Sequence, residues 1–412
     1  MDRLPQELVD AIVDVLRNDR RSLRALLCVS RSLHSQAKVH FFRSLYLATE
    51  RSVSGFHDSC IRSPDIPRLV QNFFLTLWDN AGFRASLEQL LRRFPLPNVH
   101  TLNLAMYTEN YDIKKIPAAL LSCPLTSLTL RAVIFYPEDL PKFLRCYPAL
   151  RHLDFSSARI PTTSMEQIDQ GTVLSIEDLS ISCNFVPLCL DKQLFSLHAL
   201  RRIKLASFQL TRLHECQRLL ESPNGILQRL HIYQPHDYGE FHFAAFNLTA
   251  LDHHYSSESS SRPMHKLEML HVPFLIFEVS RNDRIALISM KWFIDCLRSG
   301  KGPVRTSQIN IACSPSGKFD RSFLQRAVDE SVWSSLDSLM TTTPRFADTT
   351  LCIWVGYGVQ WYPRKPDSDL LEITRGFILN ALPRLRLVNR LEVHCKVLQR
   401  SFDEVMYLIG EK

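Results

Sequence analysis

The sequence predicts an α/β fold, with a helical module over residues 1–44 and a solenoid of short parallel strands and outer helices over residues 45–412. Three observations lead to this prediction. A six-residue unit with regularly spaced apolar positions recurs ten times from residue 99 onward. Segments with apolar residues at helical spacing lie between the copies of this unit. The first 42 residues hold three further segments of helical spacing.

The N-terminal module begins at Leu4-Pro5, and proline is well tolerated in the first turn of a helix. One apolar row then follows at helical spacing, and a second row runs beside it. The first row is Leu8, Ile12, Val15 and Leu16, and the second is Val9 and Val13. Asn18 and Asp19 are expected to end this helix. Ser22 is predicted to cap a second helix, and Ser30 or Ser32 a third.

The module is too small to cover all of its own apolar surface. A helix that is apolar on two sides must be covered from two sides, and three short helices in about forty residues make a very small core. We therefore expect part of the first helix to dock onto another protein. The alternative is that these residues form the internal core of a helical cap on the downstream domain.

The first 42 residues resemble an F-box. The residues that carry the resemblance are Leu4, Pro5, Leu8, Ile12, Leu16, Leu26 and the CVSR turn at residues 28–31. Members of this family often have Trp where this chain has Leu33. The resemblance implies docking onto the Skp-family adaptor of a cullin–RING ubiquitin ligase, with Leu4, Pro5, Leu8, Ile12 and Leu16 as the adaptor-binding residues.

The remainder of the chain is built from one repeated unit, φ-x-x-L-x-L, where φ is apolar. The central residues of its copies are Leu102, Leu128, Leu153, Leu179, Ile203, Leu230, Leu270, Ile309, Leu351 and Leu391, with a further copy, FFLTL, centred on Leu75. By subtraction, the first six gaps are 24 to 27 residues and the last four are 39 to 42. Such periods are typical of stacked strand–helix units with one continuous core.

The residue between the two marked apolar positions should face outward, because side chains alternate along a strand. It is polar in nine of the ten copies after the first. We predict that a row of these side chains binds a protein substrate. The candidates are Asn103, Asp154, Lys204, His231, His271 and Asn310, joined by Trp361 and Tyr362 from the aromatic segment 353–366. The alternative for that segment is that Trp354 packs in the core and the other residues cover a repeat edge.

This part of the chain resembles the leucine-rich-repeat family in an irregular form. Regular members carry Asn or Cys three residues after the second marked Leu, and only Asn184 fits here, so we expect the turns to be held mainly by apolar packing. The order of the two resemblances is similar to that of F-box/leucine-rich-repeat substrate receptors. It implies a substrate-recognition adaptor of an SCF-type ubiquitin ligase with no catalytic residue, cofactor or metal of its own.

The charge, the apolar runs and the cysteine pattern limit the classes of partner and the cellular compartment that we expect for this chain. A net charge of +7 over 412 residues is a mild bias, so we expect no nucleic-acid partner. The apolar runs fall short of the roughly 18 residues that a membrane span needs. Eleven cysteines without a C-x-x-C pair suggest reduced thiols and a cytoplasmic or nuclear protein.

An insertion at about residues 233–263 ends in SSESSS and is predicted to be a loop.

Two other functions remain open at this stage. One is an interaction scaffold outside ubiquitin transfer, with the helical module serving as the polar cap that repeat arrays need. The other is an enzyme, which requires a pocket where acid, base or nucleophile converge. The histidines at 242, 253 and 254 lie near Glu240 and Glu258 but lack metal-ligand spacing, so we interpret them as a solvated loop.

Overall fold

The computed structural model has an α/β fold with parallel strands. It describes residues 5–17, 19–77, 80–106, 116–134, 139–159, 172–182, 185–190, 194–206, 213–221, 227–233, 274–279, 290–291, 293–298, 306–313, 331–358 and 368–398. The chain divides into two compact units, Met1–Ala199 and Leu200–Lys412. Each unit is described by itself.

The first unit begins with three helices, α1 (Gln6–Val15), α2 (Arg20–Leu26) and α3 (Arg31–Phe42). The Asp19 carboxylate caps α2 by accepting the backbone N–H groups of Arg21 and Ser22 at 3.0 and 3.3 Å. The prediction of Ser22 as this cap was wrong, since its hydroxyl donates to Asp19 at 2.6 Å. The Ser30 hydroxyl caps α3 by accepting from the Leu33 N–H at 3.3 Å. Ser30 is one of the two serines that were predicted for this cap.

Strands and helices alternate through the rest of the first unit. The elements are β1 (Ser44–Leu47), α4 (Glu50–Arg62), α5 (Ile66–Leu69), β2 (Asn72–Leu77), α6 (Ala81–Arg93), β3 (Thr101–Met106), α7 (Ala118–Leu121), β4 (Ser127–Ile134), α8 (Asp139–Arg145), β5 (His152–Arg159), β6 (Leu174–Ser175), β7 (Asp178–Ser182), α9 (Val186–Cys189) and β8 (Phe195–Ser196). The sheet order is β1-β2-β3-β4-β5-β7, with every pair parallel, and β6 pairs separately with β8.

The second unit has the same arrangement of a strand followed by helical segments. Its elements are β9 (Arg202–Ala206), α10 (Leu213–Glu221), β10 (Arg229–Tyr233), β11 (Phe274–Val279), β12 (Gln308–Cys313), α11 (Val332–Thr342), a 3-10 turn (Pro344–Phe346), β13 (Thr350–Gly358), α12 (Ser368–Ala381), α13 (Pro383–Leu387) and β14 (Leu391–Leu398). Residues 290–291 and 293–298 are also helical. The strands pair in parallel in the order β9-β10-β11-β12-β13-β14.

The strand registers confirm most of the predicted repeat centres. Leu102, Leu128, Leu153 and Leu179 are paired in turn across β3, β4, β5 and β7. In the second unit Ile203 pairs with Leu230, and Ile309, Leu351 and Leu391 follow one another across β12, β13 and β14. The predicted centres therefore lie at equivalent positions of neighbouring strands.

Two predicted centres were wrong. Leu102 pairs with Phe73, so the first copy is centred two residues before Leu75. Leu230 pairs with Leu275 of β11, not with Leu270 of the LEMLHV segment, which lies outside the described residues. The strand that occupies this place reads FLIFEV, an apolar run without the polar alternation that the repeat pattern expects.

The outward face is covered to different extents in different strands. In the first unit, strands β2 and β3 alternate strictly between buried and half-buried residues, and Asn103 and Asp154 are half-buried. In the second unit, β12 is buried on both faces from Ile309 to Cys313. Asn310 and His231 are 0% and 5% exposed, so the expectation that these two side chains face solvent was wrong.

Candidate functional site

Helix α1 presents an exposed row of apolar side chains next to a buried one. Val9 and Val13 are 3% and 0% exposed, whereas Leu8, Ile12 and Val15 are 52%, 49% and 84% exposed. Pro5, immediately before the helix, is exposed as well. Large apolar side chains that line up along one helix face and stay accessible are typical of a protein-binding surface.

The inner face of α1 rests on a small core. Its buried residues are Val9, Val13, Leu23, Leu33 and Ala37, and Leu26, Leu27 and Phe41 pack partly buried against them. Leu33, which stands where the F-box family often has Trp, is thus a core residue. Because the core is complete without Leu8, Ile12 and Val15, the exposed row is not needed to hold the three helices together.

Polar contacts tie these helices to each other and to the strand region of the first unit. Asp14 of α1 accepts from Gln36 Nε2 at 3.1 Å and from His40 Nε2 at 2.6 Å, both on α3. These hydrogen bonds, that from Gln36 first, lower the pKa of Asp14 below its usual value. Lys38 of α3 reaches the Asp65 carboxylate at 2.8 Å, and this bond lowers the pKa of Asp65.

Three of the five predicted adaptor-binding residues are exposed, and two of them belong to the exposed row. Pro5, Leu8 and Ile12 are exposed, Leu16 is half-buried and Leu4 lies outside the described residues. Sequence reasoning placed Val15 in the apolar row without naming it as a contact, although it is the most exposed of the row. It also missed Val29, in the CVSR turn, which is 59% exposed.

A second accessible surface is the outward face of the first unit's strands. Asn103 pairs with Thr129, and Thr129 with Asp154, so these side chains form a polar row across β3, β4 and β5. Next in this row are Phe74 and Tyr46, whose rings stack 4.3 Å apart and 7° from parallel. The row therefore runs from an aromatic pair to an acidic side chain.

Among the described residues of the second unit, one predicted member of the substrate row is accessible. Lys204 is half-buried, while Asn310 belongs to a buried network in which its carbonyl oxygen accepts from Trp354 Nε1 at 3.0 Å. Trp354 also stacks on His394 at 4.1 Å, which confirms the interpretation of Trp354 as a core residue. His271, Trp361 and Tyr362 lie outside the described residues.

A cleft of about 850 Å³ lies between helices of the second unit, lined by Arg298, Trp333, Ser338, Asn380 and Arg384 among others. Its described carboxylate is Asp337, whose two oxygens already accept the backbone N–H groups of Arg384 and Leu385. Asp337 thus caps the start of α13, and the cleft gives no support to acid–base catalysis.

The described part of the chain contains no group of three or more His, Cys, Asp or Glu side chains arranged to hold a metal ion. None of its helices combines the length and the apolar composition that a membrane span requires.

A scan of the chain against protein-family models found no matching family, and a search of curated proteins found no significant match.

Proposed function

We propose that the chain is a substrate-recognition adaptor of a cullin–RING (SCF-type) ubiquitin ligase. Its helices α1–α3 would be the F-box that docks onto the Skp-family adaptor, and its strand–helix units would be irregular leucine-rich repeats that bind a protein substrate. The observation that carries the proposal is the exposed row of Leu8, Ile12 and Val15 above a core that is complete without it.

The arrangement of the strands supports the second half of the proposal. In each unit the strands of the main sheet pair in parallel in chain order, and helical segments lie between several of them, such as α6 between β2 and β3 and α11 between β12 and β13, as in repeat proteins whose units contact only their neighbours. Asn103 and Asp154 in the first unit and Lys204 in the second are the accessible candidates for substrate contacts. His231 and Asn310 drop out because they are buried.

In this function the chain contributes proximity. A substrate held on the repeats and a ligase core held on α1 share one molecule, so the substrate lysine meets the ubiquitin-loaded enzyme at a raised effective concentration. The proposed compartment is the cytoplasm or the nucleus, and the ten described cysteines, all free of disulfides, are compatible with a reducing environment.

The experiment is co-purification of the Skp-family adaptor with the full chain and with two single variants. Leu8→Asp places a charge in the exposed row, and we expect it to abolish co-purification while leaving the thermal unfolding of the chain unchanged. Ile61→Asp is the matched control, because Ile61 on α4 is 51% exposed, close to the value for Leu8. Wild-type chain that fails to bind the adaptor would overturn the proposal, as would equal binding by the two variants.

An interaction scaffold outside ubiquitin transfer is the second candidate, and one set of contacts favours it. Helix α3 is tied to the strand region through the Lys38–Asp65 bond and through the Arg43 carbonyl, which accepts from the N–H groups of Gln71 and Asn72 at 2.9 Å. A helical cap on a repeat array would make such contacts. A scaffold predicts no adaptor binding by wild-type chain, so the same co-purification separates the two functions.

A further inference from the structure

Eight of the ten residues of α1 fall into three rows along its length: a buried row, an exposed apolar row and a polar row. In that order they are Val9 and Val13; Leu8, Ile12 and Val15; and Gln6, Asp10 and Asp14. At about 100° per residue, Asp14 and Leu8 lie about 120° to either side of the buried row. The polar row and the apolar row are therefore on opposite flanks of the helix.

Packing alone holds α1 in place weakly. Its buried row has two valines, and an isolated helix of ten residues is marginal in water. Two small side chains in line along the axis leave the rotation of the helix about that axis poorly determined. A contact on one flank that also reaches a second helix can supply this constraint.

Asp14 makes that contact. One of its oxygens, Oδ1, accepts from both Gln36 and His40 of α3, 22 and 26 residues later in the chain. The His40 side chain is only 12% exposed, which gives the bond a well-fixed donor. Asp10, by contrast, is bonded at 2.8 Å to Gln6 within α1 itself, so its bond cannot orient the helix against α3.

We propose that Asp14 is the positioning residue of the docking helix: held by Gln36 and His40, it fixes the rotation of α1 so that Leu8, Ile12 and Val15 point outward, and it thereby sets the affinity for the adaptor. The statement about affinity rests on the proposed function, since it requires that the exposed row is the adaptor-binding surface. If α1 turns away for part of the time, the apparent affinity falls in proportion to the competent fraction.

The experiment compares Asp14→Ala, Asp14→Asn and the matched control Asp10→Ala in the full chain. Two quantities are measured: adaptor affinity by titration, and hydrogen–deuterium exchange of the α1 amides in the free chain. We expect Asp14→Ala to weaken adaptor binding by roughly fivefold to tenfold, the loss of one to two hydrogen bonds, and to speed α1 exchange. Asp10→Ala should match wild type, and Asp14→Asn should recover part of both effects because its amide oxygen still accepts.

Equal affinity and equal exchange for Asp14→Ala and Asp10→Ala would overturn the inference. Wild-type chain that does not bind the adaptor would instead refute the proposed function and with it the effect on affinity. The exchange comparison would then still decide whether Asp14 holds α1 against α3. Recovery by Asp14→Asn separates a lost hydrogen bond from a general loss of folding.

Discussion

At the scale of single residues, burial divides the cysteines into two chemical classes. Cys28 and Cys146 are exposed, whereas Cys60, Cys123 and Cys189 are buried. Burial raises the pKa of the Cys60 thiol to about 11, because a thiolate loses its solvation in apolar surroundings. The thiolate is the reactive form of cysteine, so burial slows alkylation both by blocking access and by raising the pKa of the thiol.

We predict that iodoacetamide at pH 8 alkylates Cys28 and Cys146 in the native chain and leaves Cys60 unmodified. With a pKa of about 11, only about one Cys60 thiol in a thousand is ionised at that pH. Peptide mass spectrometry after timed labelling measures the rates, and labelling in denaturant is the control that all three sites can react. Native Cys60 alkylated as fast as Cys28 would contradict the placement of α4 against the core.

Residue spacing predicted the two apolar rows of α1 but not the burial of every polar side chain. The spacing of Leu8 and Ile12 beside Val9 and Val13 gives two rows, because a helix fixes which residues share a face, and the family resemblance singled out Leu8 and Ile12 as contacts. Asn310 was assigned to an outward row for being polar. It is buried because an amide can be satisfied inside a protein, here by the Trp354 indole and the Leu275 carbonyl.

At the scale of elements, arginine side chains in the second unit close the ends of helical segments that precede them in the chain. Arg345 donates to the carbonyls of Leu297 and Arg298 at the end of helical residues 293–298. Arg390 donates to Met340 at 2.8 Å, to Ala347 at 3.0 Å and to the Phe346 carbonyl. Carbonyls at helix ends lack partners within the helix, so the expectation that apolar packing mainly holds these turns was incomplete.

We predict that Arg390→Lys lowers the free energy of unfolding of the chain by about 2 kcal/mol. The reason is that a single ammonium group cannot reproduce the hydrogen bonds that the Arg390 guanidinium group makes to three carbonyls. Arg386→Lys, on the exposed side of α13, is the control and should change it by less than about 0.5 kcal/mol. Urea unfolding followed by circular dichroism gives the comparison. Equal midpoints for the two variants would show that the arginine bonds add nothing to stability.

The repeat pattern predicted strands well where apolar and polar residues alternate in the sequence and poorly where they do not. In the first unit the alternation of apolar and polar residues placed β3, β4 and β5 in register. In the second unit the pattern chose LEMLHV over FLIFEV, because the latter does not alternate. Parallel strands can read as continuous apolar runs, so a search for alternation selects against the strand that pairs with β10.

At the scale of the whole molecule, the proposed function gives different binding tasks to different surfaces. The exposed row of α1 would bind the ligase adaptor, and the accessible strand residues of each unit, such as Asn103 and Lys204, would contact substrate. Neither binding task requires a catalytic group from the chain itself. The assignment of Asn103 and Lys204 to substrate binding is supported by their accessibility. The assignment of the exposed row of α1 to adaptor binding is supported by its exposure, its helical spacing and a core that is complete without it.

The most direct test of the central claim is covalent footprinting of the full chain with and without purified Skp-family adaptor, read residue by residue by mass spectrometry. The account predicts that Leu8, Ile12 and Val15 are labelled in the free chain and protected in the complex. Ile61 on α4 and Ile373 on α12, both exposed, should be labelled equally in the two states. A complex in which the α1 row stays labelled, or no complex at micromolar concentrations, would contradict the account.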